Sequence, residues 1–210
     1  MPRIRAIGID AAFANMGFAE VVLDIEAGDV LIRCSDLALV KTAAETSKTV
    51  RKSSDELRRA KILHTELVQR CSGLQLAFVE VPSGSQSASA ARALGIAVGV
   101  LAACPIPIIE VSPMEVKAVV TGGQKKATNP TKAQVIAWAV KRWPLAPWLR
   151  AGKRDPTRLI QDNEHLADAL ATVAAGIVTP AFRNLLALSH EVSHSPRVGP
   201  APKRRTLLRI

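Results

Sequence analysis

Tyrosine is absent from this 210-residue chain, which holds only three tryptophans and four phenylalanines. Base stacking needs aromatic faces, so a surface that threads extended single strands across stacked rings is disfavoured. Cysteine is sparse too. Cys34, Cys71 and Cys104 are odd in number, widely spaced and form no CxxC pair, which indicates neither a disulfide framework nor a zinc site and implies a reducing cytoplasm. Residues 1–10 lack a signal-peptide core, and the apolar run Ala93–Cys104 is too short to span a bilayer and carries two glycines. The expectation is a soluble cytoplasmic protein with no membrane partner.

Acidic residues are also in deficit: 18 Asp and Glu stand against 28 Lys and Arg, a net charge of +10. Cationic side chains that neutralise phosphates release condensed counterions, so a polyanion, nucleic acid first, is the expected partner. Hydrophobic residues make up 48% of the chain against 22% charged, the composition of a folded globule. The length suits one domain, taken as residues 1–190. A basic flexible tail, residues 191–210, follows; Pro196–Ile210 holds five basic residues, three prolines and no acid.

Periodicity divides the domain. Ile4–Ile9, Gly17–Ile25 and Val30–Val40 read as three strands in an antiparallel meander, with Glu26–Asp29 as a turn. Lys48–Arg70 places Leu57, Ala60, Leu63 and Leu67 at helical spacing among basic residues. Leu74–Val79 is a strand ending at Glu80, Ser85–Cys104 an Ala/Gly-rich helix, Ile106–Val111 a strand and Pro113–Val120 a short helix. Lys132–Trp143 and Asn163–Ile177 are helices, the second capped by the Asp162 carboxylate, and Phe182–His190 adds a last one. This order predicts an α/β fold, a mixed five-stranded sheet with helices on both faces.

Asp10 ends the first strand and Glu80 the fourth. If those strands are adjacent and parallel, both carboxylates project from one sheet edge. His165 and Asp168 lie three apart on one helical face and can address a shared atom. Taken singly each has an ordinary reading: a turn former, a solvated loop acid, a surface histidine, an aspartate paired with Arg or Lys. Taken together they favour a cation site, because clustered carboxylates raise one another's pKa unless a cation compensates. Oxygen ligands with one imidazole suit Mg²⁺ or Mn²⁺ better than Zn²⁺, and two such ions about 4 Å apart can stabilise both oxygens of a phosphodiester displacement.

Several segments in order resemble the RuvC family of Holliday-junction resolvases, over roughly Arg3–Ile177. Ile7-Gly8-Ile9-Asp10 with Gly17 resembles the family's first strand, aspartate and following glycine, and Phe78-Val79-Glu80 its second motif. Glu110–Lys117 and Thr131–Val135 resemble two lysine-bearing stretches, and His165–Ala171 is the most specific match. The resemblance implies a ribonuclease-H-like fold and a homodimer that nicks opposed strands of a four-way junction, leaving 5′-phosphates. It implies that Asp10, Glu80, His165 and Asp168 hold Mg²⁺, with Mn²⁺ able to substitute, that Lys117 and Lys132 serve the scissile phosphate, and that the helix over 86–104 is the dimer contact.

Departures are equally specific. Ala11-Ala12 replaces the usual Pro-Gly after the first aspartate, Met16 replaces a common Thr, and Val81-Pro82-Ser83 stands where many members place an aromatic wedge. Thr121–Pro130 and Ala146–Gln161 are longer than expected, and the tail is extra, features that fit a divergent, phage-type member; the expected compartment is bacterial cytoplasm, or host cytoplasm if the protein is phage-encoded. Lys125-Lys126 and Lys203-Arg204-Arg205 read as nonspecific phosphate contacts or solubilising charge. Two rival readings stand beside a resolvase: a non-catalytic junction-binding protein, and a nuclease of the same fold acting on RNA–DNA hybrids.

Overall fold

The computed structural model describes residues 3–26, 28–82, 84, 87–123, 129–152 and 155–194, without the side chains of 189–194. The expected strands over the first forty residues form as β1 (Arg3–Asp10), β2 (Asn15–Glu26) and β3 (Asp29–Lys41), an antiparallel meander. Then come α1 (Lys52–Cys71), β4 (Leu76–Glu80), α2 (Ala88–Ala102), β5 (Ile108–Val111), α3 (Pro113–Val120), α4 (Lys132–Arg142), α5 (Asn163–Gly176) and α6 (Pro180–His194). The sheet order is β3-β2-β1-β4-β5, with β4 parallel to β1 and β5 parallel to β4. This is the mixed five-stranded sheet read from the element order.

The two-residue period of a strand sorts the core into two layers. Ile7, Ile9, Phe18, Ala77 and Val79 face α1 and α2, meeting Leu63, Leu67, Val100 and Leu101. Ala6, Ala19, Val21, Leu76 and Phe78 face the other side, meeting Leu166, Leu170 and Val173 of α5, Trp143, and Phe182 of α6. Burial on both faces is why the strands read as continuous apolar runs. α5 is the central helix: Leu166, Ala167, Ala169, Leu170, Ala171 and Val173 are wholly buried. Each large apolar side chain there contributes about 1.5–3 kcal/mol of transfer free energy.

That helix lies unusually close to the sheet because Gly8 has no side chain. A Cβ built on Gly8 would stand 2.1 Å from the Ala169 carbonyl oxygen and 2.6 Å from Val173 Cγ2. Across the sheet a Cβ on Gly17 would stand 2.3 Å from the His165 carbonyl oxygen.

Several details depart from the sequence reading. Leu57 was expected on the inner face of α1 but is 57% exposed, because it precedes the stretch from Leu63 to Leu67 that reaches the sheet. α2 begins at Ala88 on a Ser87 cap, and Ser83, Ser85 and Gln86 lie outside the described residues. Asp162 does not cap α5 with its side chain; its carboxylate pairs with Lys41 Nζ at 2.5 Å instead, a stronger, charged donor. Within the long basic segment before α5, Trp148 is buried and donates to the Trp143 carbonyl, and Arg150 bridges Leu159. Cys71 and Cys104, distant in sequence, bring their sulfurs to 3.8 Å as free thiols. Lys125, Lys126 and the tail from residue 195 lie outside the described residues. Among the described residues no single helix is long and apolar enough to cross a membrane.

Gly8→Ala tests the close approach of α5. Because the obstructing atom is backbone, relief requires α5 to move, and a loss of at least about 2 kcal/mol, or about 4–8 °C in Tm, is expected. A thermal melt indistinguishable from wild type would contradict this packing.

Candidate active site

Asp10 and Glu80 are register partners on parallel neighbours, each the last residue of its strand. Asp10 shares the strand face of Ala6 and Gly8, and Glu80 that of Leu76 and Phe78, so both carboxylates emerge on the side covered by α5. α5 brings His165 and Asp168 to them. His165 Nδ1 lies 2.7 Å from Asp10 Oδ2, which makes it the direct link between helix and strand. Asp168, one turn on, makes no ion pair with Arg or Lys among the described residues, and Asp10 is no turn former, which removes two of the ordinary readings.

The start of α5 is a hub in which four consecutive side chains reach four different elements. Asp162 holds Lys41 at the end of β3. Buried Asn163 accepts from the Leu149 N–H and donates to the Leu149 and Ile160 carbonyls, fixing the segment between α4 and α5. Glu164 Oε1 accepts from Lys132 Nζ at 2.7 Å, at the first residue of α4. His165 reaches Asp10 of β1. A capping box of Thr131 and Gln134 fixes where α4 begins, and hence where Lys132 stands.

The lysines behave differently from one another. Lys132 is 66% exposed, at the rim of the carboxylate group, and both Glu164 and, at longer range, Asp168 favour its charge. Lys117, on α3, donates instead to Asn129 Oδ1 at 3.0 Å and contacts none of the carboxylates.

Glu164 is the residue the sequence reading passed over. It falls within the helix expected over Asn163–Ile177, yet its side chain is 13% exposed, its Oε1 lies 3.6 Å from His165 Nε2, and its Oε2 is buried with no hydrogen-bond partner among the described residues. The signal available in sequence was an acid directly before a histidine already under suspicion, and a first-turn acid has the simpler explanation of the helix dipole.

The electrostatics are those of negative charge confined without enough compensation. Burial, then the charges of Asp10 and Glu80, push the Asp168 carboxyl up to about 7, with His165 partly offsetting them. Burial and Asp10 likewise raise the Glu80 carboxyl. His165 is raised by its hydrogen bond to Asp10, and further by the charges of Asp10, Glu164 and Asp168. Among the described residues no three of His, Cys, Asp or Glu are drawn together as a finished metal cage. The donor set still fits a divalent cation in kind: three carboxylates that make no ion pair with lysine or arginine among the described residues, an imidazole, and an orphaned buried carboxylate oxygen beside it.

No family model and no curated protein sequence matches this chain. Solved structures do. The Thermus thermophilus RuvC structure is similar with a TM-score of 0.56 and 23% identity, over 88% of this chain and 97% of that one. T. thermophilus RuvC in complex with Holliday junction substrate is similar with a TM-score of 0.55 and 20% identity, over 87% and 96%. The chain has the RuvC fold. The sheet order β3-β2-β1-β4-β5 with α5 across it is thus a RuvC-type framework, and the four residues picked out from sequence lie at one end of it.

The raised Asp168 carboxyl has a consequence for the metal-free protein. Its folded pKa, about 7, lies above the ordinary 3.8, so its stabilising contribution is whole below pH 4 and is lost as pH rises through 7. In chelator, Asp168→Asn is therefore expected to stabilise the fold at pH 8 by on the order of a few kcal/mol, read as a higher Tm, and to change Tm little at pH 4. Equal effects at both pH values would show that Asp168 does not carry this strain.

Proposed function

We propose that the protein is a divalent-metal-dependent endonuclease that resolves four-way or otherwise branched DNA by paired nicks, leaving 5′-phosphates. One observation carries this reading. Asp10 and Glu80 stand in register at the ends of adjacent parallel strands, and α5 sets His165 against Asp10 with Asp168 one turn away. The RuvC fold and the net charge of +10 support a nucleic-acid substrate, and the first neighbour pair includes one solved with a Holliday junction.

Asp10, Glu80, Asp168 and His165 are the residues that would hold the cation. Bound Mg²⁺ or Mn²⁺ would supply an activated water and neutralise charge developing on the phosphate. The chain itself contributes the rest. The sheet fixes Asp10 and Glu80 through two rows of backbone bonds, so neither carboxylate depends on a loop for its place. Lys132 presents an exposed ammonium at the rim, where a phosphate held by the carboxylate-bound cation would meet a second positive charge. His165 Nδ1, bonded to Asp10 Oδ2, orients the imidazole and that carboxylate toward one another. Lys117 is assigned to the DNA backbone farther out, since its ammonium faces Asn129.

A homodimer is part of the proposal, because two opposed strands need two sites. α2 is the surface offered for it: Ala88, Ala90, Ala91, Gly95 and Gly99 are exposed, and the two glycines have open space where a Cβ would be. Helices with small residues let a second backbone approach closely.

Purified protein with Mg²⁺ is expected to nick synthetic four-way junctions symmetrically, with Asp10→Asn and Asp168→Asn each slowing cleavage by at least about 10²-fold. Junctions left intact by wild type, or cut equally by the variants, would refute the nuclease reading, and preference for an RNA–DNA hybrid would reassign the substrate. Light scattering is expected to give a dimer that Gly95→Leu shifts toward monomer; monomer alone, with junction present, would refute the assembly.

A further inference from the structure

The hub at the start of α5 gives Glu164 a job that its place in a helix does not require. Lys132 is a long side chain, 66% exposed, at the first position of a short helix; left alone, an ammonium on four methylenes samples many rotamers. Here it is tied at 2.7 Å to an acid that is itself 87% removed from solvent by the fold around α5. An ion pair between two exposed side chains is worth little and wanders, whereas a pair with one anchored partner loses the mobility of only the other. The same carboxylate also lies beside the imidazole of the site, with His165 Nε2 3.6 Å from the oxygen that holds Lys132. Its second oxygen is buried with no hydrogen-bond partner among the described residues, so Lys132 at 2.7 Å is the shortest contact of this carboxylate, ahead of His165 at 3.6 Å.

We infer that Glu164 is a positioning residue that holds the Lys132 ammonium at the rim of the Asp10–Glu80–Asp168 group, so that a phosphate arriving there meets an ordered cation. This rests on the nuclease reading for its consequence, although the contact itself does not. Anchoring of this kind acts on the productive geometry of the bound substrate and not on its capture, since the many basic groups of the surface supply most of the binding. Its signature is a fall in kcat with KM nearly unchanged. Because Glu164 acts through Lys132, removing either one should cost nearly what removing both does.

Two measurements on the full-length protein separate the contact from its use. The first needs neither metal nor DNA. Lysine acylation by an N-hydroxysuccinimide ester, followed by peptide mass spectrometry, reads the availability of each amine. Lys132 is expected to react several-fold faster in Glu164→Gln than in wild type, with Lys117 unchanged as the internal control. The second is cleavage of a four-way junction in Mg²⁺. Glu164→Gln is expected to lower kcat by about 10-fold with KM within about twofold, and the Glu164→Gln/Lys132→Met double variant to match Lys132→Met alone. Unchanged labelling of Lys132 would overturn the contact. Faster labelling with full kcat, or additive losses in the double variant, would overturn the positioning role while leaving the nuclease reading intact. If wild type cleaves nothing, the nuclease reading and this role fall together, and labelling still decides whether Glu164 holds Lys132. Should Glu164→Gln melt at a much lower temperature, Glu164→Asp, which keeps the charge but shortens its reach to Lys132, tests the same coupling. There the loss of kcat must again appear without a rise in KM.

Discussion

The distance between α5 and the sheet governs the rest of this structure. At Gly8 and Gly17 the strands have no side chain facing the helix, and the backbone of α5 rests almost directly on that of β1 and β2. Ordinary helix–sheet packing would lift α5 by the thickness of a side chain and carry His165 and Asp168 away from Asp10. Two absent Cβ atoms therefore set the dimensions of the site, and the apolar residues Leu166, Leu170 and Val173 supply the free energy that presses the helix down.

With α5 fixed at that height, its first turn becomes the meeting point of the molecule. Asp162, Asn163, Glu164 and His165 bond in succession to β3, to the segment before α5, to α4 and to β1. A consecutive run of polar residues at a helix start is ordinarily solvated; here it is partly buried and partnered, apart from one oxygen of Glu164. The acids on the far side of His165 have less compensation. Burial and the charge of Asp10 raise the carboxyls of both Asp168 and Glu80, with Glu80 adding to the shift of Asp168, an arrangement that costs stability.

How much of this was legible beforehand depended on the range of the interaction involved. Strand and helix order came through because burial on both faces writes a continuous apolar strand and a 3.6-residue helix period directly into the sequence. Asp10 and Glu80 were visible as acids at strand ends, and His165 and Asp168 as neighbours on one helical face, since those relations are local. Leu57 was misread because periodicity gives a helix's inner face but not the point at which the helix reaches the sheet. Asp162 was misread because a local cap and a distant lysine compete for one carboxylate, and Lys41 lies 121 residues away in sequence. Glu164 was passed over for the same reason: its partner Lys132 is 32 residues distant.

By itself, then, the amino-acid sequence determined a basic α/β domain, the order of its elements and the four chemically suspect side chains, because composition and periodicity are properties of the chain alone. Only the tertiary structure decided that β1 and β4 are parallel neighbours in register, that His165 bonds to Asp10, that Lys132 is held while Lys117 faces elsewhere, and that the sulfurs of Cys71 and Cys104 meet. The reason is physical: these relations rest on strand pairing and on interatomic approach across tens of residues, and the chain encodes them through what it omits at Gly8 and Gly17 as much as through what it carries.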